Sequence, residues 1–72
     1  MRDAETVRTA LTALHPEIVW TVDQHSTGLA VCACWPAESL YAASMVNSGA
    51  SVREMADAVL RQERRPITSV HA

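Results

Sequence analysis

Seventy-two residues with a formal charge of −2 and a pI near 5.8 allow one small domain and argue against broad phosphate-backbone binding, which needs a basic surface. No apolar run approaches the ~18 residues of a membrane span. A chain this short buries only roughly 60% of the surface it exposes when unfolded, so a disulfide, a metal or a partner subunit is a common supplement to a core supplying ~3–5 kcal/mol. Aromatics are scarce (Trp20, Trp35 and Tyr41, with no Phe), so the core must rest largely on Leu, Val, Ile, Met and Ala. The chain opens Met-Arg-Asp-Ala-Glu, without an apolar signal core, which sets a cytoplasmic expectation.

Asp3 is a good N-cap, Glu5 suits a first turn, and Val7, Ala10, Leu11 and Leu14 recur at helical spacing. A helix is expected over residues 4–14. His15-Pro16 ends it, because the residue before proline is pushed out of the α region. Residues 17–23 alternate, with Ile18, Trp20 and Val22 on one face and Val19, Thr21 and Asp23 on the other, which reads as a strand. Residues 23–28 form a turn by composition. Residues 29–35 read as a second strand, apolar on both faces: Leu29, Val31, Ala33 and Trp35 against Ala30, Cys32 and Cys34. Such a strand is expected to be covered on both sides or to lie at an interface. The two strands should form an antiparallel hairpin.

Pro36 suits a first helical position, and residues 37–47 are rich in Ala, Leu and Met, so a second helix is expected there, stopped by Gly49. The best-specified element is a third helix over residues 51–62. Ser51 and Glu54 form a capping box, Val52, Met55, Ala56, Val59 and Leu60 make an apolar stripe, and Arg53, Asp57 and Arg61 stand four apart. Arg64-Arg65-Pro66 is expected to end it. Residues 67–70 have strand character and allow a C-terminal edge strand. The expected fold is α+β: a hairpin, with that third strand as an option, packed against three helices in the order α-β-β-α-α-(β).

Four constellations bear on function. Cys32 and Cys34 share a strand face, but zinc needs four ligands at other spacings, and His15, His25 and His71 are far apart in sequence. Two small buried hydrophobes are the simpler reading, with a metal or thiol protein as the weaker alternative. Asp23, His25 and Ser26 are better explained as turn formers than as a catalytic relay. No catalytic residue, cofactor or metal site is assigned, and no enzyme activity is expected. A helix-turn-helix over residues 38–60 would use Arg53, Arg61, Arg64 and Arg65 on nucleic acid, but Glu54 and Asp57 on the same helix oppose phosphates.

The fourth constellation is the neutral stretch from Gln24 to Val52, whose one formal charge is Glu38. It carries the interface candidates Trp35, Leu40, Tyr41 and Met45; aromatics and Met are enriched at interface cores. The leading expectation is a non-enzymatic protein-binding module, self-associating as a homodimer. It would act as an adaptor or inhibitor, for example one carried by a phage or mobile element against a host enzyme or complex.

Overall fold

The computed structural model describes residues 3–67. The order is α1 (Ala4–Leu14), β1 (Val19–His25), β2 (Gly28–Trp35), a single 3-10 turn (Pro36–Glu38), β3 (Leu40–Val46), α2 (Val52–Leu60) and β4 (Arg65–Pro66). The class is α+β, a four-stranded antiparallel sheet in the order β1-β2-β3-β4 with two helices.

α1 starts where its cap predicts. The Thr6 N–H donates to the Asp3 carboxylate at 2.7 Å, and the His15 N–H closes the other end on the Leu11 carbonyl at 2.9 Å. The hairpin is tighter than its composition suggests. β1 runs on through Asp23 and Gln24 to His25, leaving Ser26 and Thr27 as the turn between the His25↔Gly28 pair. Gly28 is required there. Its φ is +152°, and a Cβ would stand 2.3 Å from the Val46 carbonyl oxygen. That close backbone approach lets β3 pair along the whole of β2, from Leu29↔Val46 to Trp35↔Leu40.

The helix expected over residues 37–47 is not formed, and the fold has two helices rather than three among the described residues. Pro36 does open a helical turn, but it lasts one turn and ends at Ser39, in the left-handed region at φ +56°. Leu40-Tyr41-Ala42-Ala43-Ser44-Met45-Val46 then runs as a strand. Its helix formers carry a weak preference that tertiary context overrides. The free edge of β2 supplies a full row of backbone donors and acceptors, and both groups on each β3 residue need partners. The same seven residues also alternate, with Ala42 and Val46 buried and Ala43 and Met45 exposed. The helix-turn-helix over residues 38–60 is therefore not built; that segment is a turn, a strand, a loop and a helix. Gly49 caps no helix. Its N–H donates to the Asn47 side chain at 2.7 Å within the β3–α2 loop.

α2 has both halves of the capping box. The Glu54 N–H donates to Ser51 Oγ and the Ser51 N–H to Glu54 Oε1, each at 3.1 Å. The helix stops at Leu60, well before Pro66. Pro66 instead lies in β4, opposite Leu40, and the Ile67 N–H donates to the Ser39 carbonyl at 2.8 Å. The C-terminal edge strand thus sits at residues 65–66; residues 68–70 of the strand expected over 67–70 lie outside the described residues. The Arg53–Asp57 and Asp57–Arg61 spacings make no ion pair. Arg64 instead reaches back to the 3-10 turn, 3.7 Å from Glu38, with its guanidinium 4.0 Å above the Trp35 ring.

One core joins both helices to one face of the sheet. Val7 and Leu11 come from α1 and Met55, Ala56 and Val59 from α2; Trp20, Leu29, Val31, Ala33, Trp35, Ala42 and Val46 come from the strands, with Ile18 just before β1. Both tryptophans are in it.

Two outcomes test this account. Gly28→Ala should lower the unfolding free energy by more than about 1 kcal/mol, since the added methyl meets both a disfavoured φ and a carbonyl, read as a lowered urea midpoint at unchanged slope. The hydrogen bond from Thr6 also holds the Asp3 carboxyl below its ordinary pKa. A depressed carboxylate stabilises the fold above its ordinary range, and that stabilisation is lost as pH falls through the folded value. The stability difference between wild type and Asp3→Asn should therefore be constant above about pH 5 and shrink toward about pH 2, measured by urea denaturation across that range.

Candidate functional site

The helices cover one face of the sheet, and no described element covers the other, the open face. Directly opposed residues on neighbouring strands project to the same side, so the register defines the open face row by row. The first row is Val19, Cys34, Tyr41 and Arg65; the second is Thr21, Cys32 and Ala43; the third is Asp23, Ala30 and Met45; the fourth is His25 and Gly28. All core strand residues have the other parity. β2 is apolar on both faces, as its sequence shows, but only one face receives helices.

This open face is short of charge. Among the residues paired in the sheet, its formal charges are Asp23, in the third row of β1, and Arg65, in the first row of β4, diagonally across from each other. Neither has an ion-pair partner among the described residues. Val19 and Met45 are 52% and 50% exposed, which makes them two of the most exposed large apolar side chains described. Tyr41, Cys32 and Cys34 are half-buried by their neighbours in the sheet. Next to Arg65, a shallow hollow runs along the outer edge of β3, lined by Tyr41, Ala43, Gln62 and Glu63.

The four expected interface residues divide between the faces. Tyr41 and Met45 stand on the open face. Trp35 and Leu40 pair with each other on the helix side, Trp35 in the core beneath Arg64 and Leu40 packed against it. The four arginines of the nucleic-acid alternative do not form one surface. Arg53 is exposed on α2, Arg61 caps its end, Arg64 is engaged with Glu38 and Trp35, and Arg65 lies on the open face. Strand parity in the sequence already groups Val19, Thr21 and Asp23, and Ala30, Cys32 and Cys34. What it lacks is the third column, Tyr41, Ala43 and Met45, and the corner Arg65.

The thiols are side by side and free. Cys32 makes a 3.8 Å contact with the Ala33 carbonyl oxygen. Burial pushes its pKa up, partly offset by a hydrogen bond with Thr21, and Cys34 beside it adds to the rise. A raised pKa leaves little thiolate at neutral pH, the opposite of an activated nucleophile. No three His, Cys, Asp or Glu side chains converge among the described residues. His15 packs on Trp20, with ring centroids 6.1 Å apart, and lies 3.6 Å from Glu17. Its carbonyl accepts the Trp20 indole N–H at 3.3 Å. Asp23, His25 and Ser26 make no side-chain hydrogen bond to one another. His71 lies outside the described residues. No helix among the described residues is long and apolar enough to cross a membrane.

Comparison with known protein families, with curated proteins and with solved structures finds no match for this chain.

In alkylation at neutral pH, Cys32 in a Cys34→Ala background should react more slowly than a free model thiol, and its rate should keep rising above about pH 8.5, followed by mass spectrometry.

Proposed function

We propose that the protein is a non-enzymatic binding module, an adaptor or inhibitor, that takes a protein partner on the open face of its sheet. The observation that carries this reading is the uncovered, charge-poor surface of β1, β2 and β3. A half-buried sheet normally alternates apolar-in with polar-out. Here the outward positions of β2 and β3 are Ala30, Cys32, Cys34, Tyr41, Ala43 and Met45, with no charge among them. Contiguous exposed apolar surface of this kind is a hallmark of interaction sites.

The magnitudes agree. Fully burying a large apolar side chain is worth about 1.5–3 kcal/mol. Val19 and Met45 are each about half exposed, so roughly half of that is still available at each to a partner. The small residues between them present backbone and Cβ atoms at nearly one level, suited to a flat or gently curved partner rather than to a small molecule in a deep pocket.

A tagged pull-down with and without nuclease, comparing wild type with Met45→Glu, tests the reading. The substitution places a carboxylate on an exposed strand position, so folding should survive it, while partner capture should fall by at least about tenfold. Nuclease-resistant partner protein, lost with Met45→Glu, is the expected result. A bound protein indifferent to Met45→Glu would remove the open face from the site. Recovery of nucleic acid, lost on charge reversal at Arg53, Arg61, Arg64 and Arg65, would replace the reading altogether.

A further inference from the structure

Resting on the reading of the open face as the binding surface, the geometry points to a second copy of this chain as its occupant, docked face to face across a two-fold axis with the strands crossed. The face is complementary to itself. Strands lie about 4.8 Å apart and alternate residues about 6.8 Å apart along a strand. The grid from Val19 to Arg65 and from Val19 to Asp23 is therefore nearly square, about 14 Å on a side. Asp23 and Arg65 occupy the two ends of one diagonal.

A two-fold axis parallel to the face and perpendicular to that diagonal exchanges its ends. Each Asp23 then lies opposite Arg65 of the second copy, twice over, and both charges find the ion-pair partner they lack among the described residues. The same operation places Val19 on the axis, facing its counterpart. Met45 comes beside the axis at the far side, close to its own counterpart. The Tyr41 hydroxyl is carried toward Thr21 and Asp23 of the second copy. Because the axis runs at about 45° to the strands, the two sheets cross at about 90°, one of the two arrangements in which sheets pack. A two-fold along or across the strands would set one of the two charges over Val19, and one along the diagonal itself would set like charges together.

The area sets the strength. The grid covers about 200 Å² between corner Cα atoms and roughly twice that with side chains and rim, against about 800 Å² per partner in a standard interface. The dimer is a weak and reversible one.

The test is a charge swap read by sedimentation equilibrium on the full chain, from about 10 μM to about 1 mM. Wild type should associate reversibly. Asp23→Arg and Arg65→Asp should each weaken association about tenfold or more, since each places like charges together. The double variant Asp23→Arg/Arg65→Asp should return it to near wild-type strength. Rising salt should weaken the wild-type dimer, which keeps the inference testable if one variant folds poorly. Single variants that weaken association without rescue in the double variant overturn the crossed arrangement. A wild type that stays monomeric to the top of the range overturns the second copy as occupant. In that case Met45-dependent capture of another protein would leave the open-face reading standing.

Discussion

Both helices lie on the same side of the sheet, and most of what distinguishes this molecule follows from that. With α1 against β1, and α2 against β2 and β3, one face of these three strands is turned to the core. The other face has nothing left in the described chain to cover it. A larger domain would add a second layer. Here the outward positions must be tolerable in water by themselves, and the chain meets that need with small side chains at Ala30, Cys32, Cys34 and Ala43 rather than with charge. Small residues limit the apolar area exposed while keeping the surface flat.

β2 is the strand on which the arrangement turns. It is paired on both sides, with β1 from Gly28 to Cys34 and with β3 from Leu29 to Trp35, and Gly28 at its start lets the end of β3 approach closely. The opposite end is held by a different device. Trp35 closes the core under the guanidinium of Arg64, and Arg64 also reaches Glu38. A cation over a tryptophan face contributes about 0.5–1 kcal/mol at an exposed site, while the half-exposed ion pair adds little by itself. The value of this cluster is positional. It fixes the chain leaving α2 against the turn entering β3, so that Arg65 and Pro66 arrive beside Leu40 and Tyr41. The two sheet edges differ as a result. One ends in a two-residue strand bearing Arg and Pro, residues that discourage further pairing. The other is the seven-residue β1.

The cysteines illustrate how environment settles chemistry. Their spacing on one strand face is compatible with reactivity in the abstract, but no His or acidic side chain converges on them among the described residues, and burial keeps Cys32 protonated. As part of the open face they act as small apolar surface. The arginines make the same point: of the six in the sequence, Arg53, Arg61, Arg64 and Arg65 become a helix-surface charge, a helix cap, a clamp on Trp35 and a charge on the open face.

By itself the sequence determined the local elements whose instructions are complete within a few residues. The Asp3 cap with its periodic Val7 and Leu11 specified α1, the Ser51–Glu54 box specified α2, and the alternation of Ile18 through Trp35 specified the hairpin and the faces of its residues. The stretch from Gln24 to Val52, with Glu38 as its one formal charge, also contains the β2 and β3 columns of the open face. It did not determine the state of residues 40–46, because Leu, Ala and Met favour a helix in isolation and a strand only when an open ladder stands beside them. That decision belongs to tertiary structure, since the energy gained comes from pairing with β2 and from burying Ala42 and Val46 under α2. The open face was legible only in part for the same reason. Two of its columns follow from parity in β1 and β2, whereas the third column and the Arg65 corner exist only once β3 and β4 have joined the sheet. Which face stays open was likewise settled by where two helices could pack together, a choice that no single segment encodes.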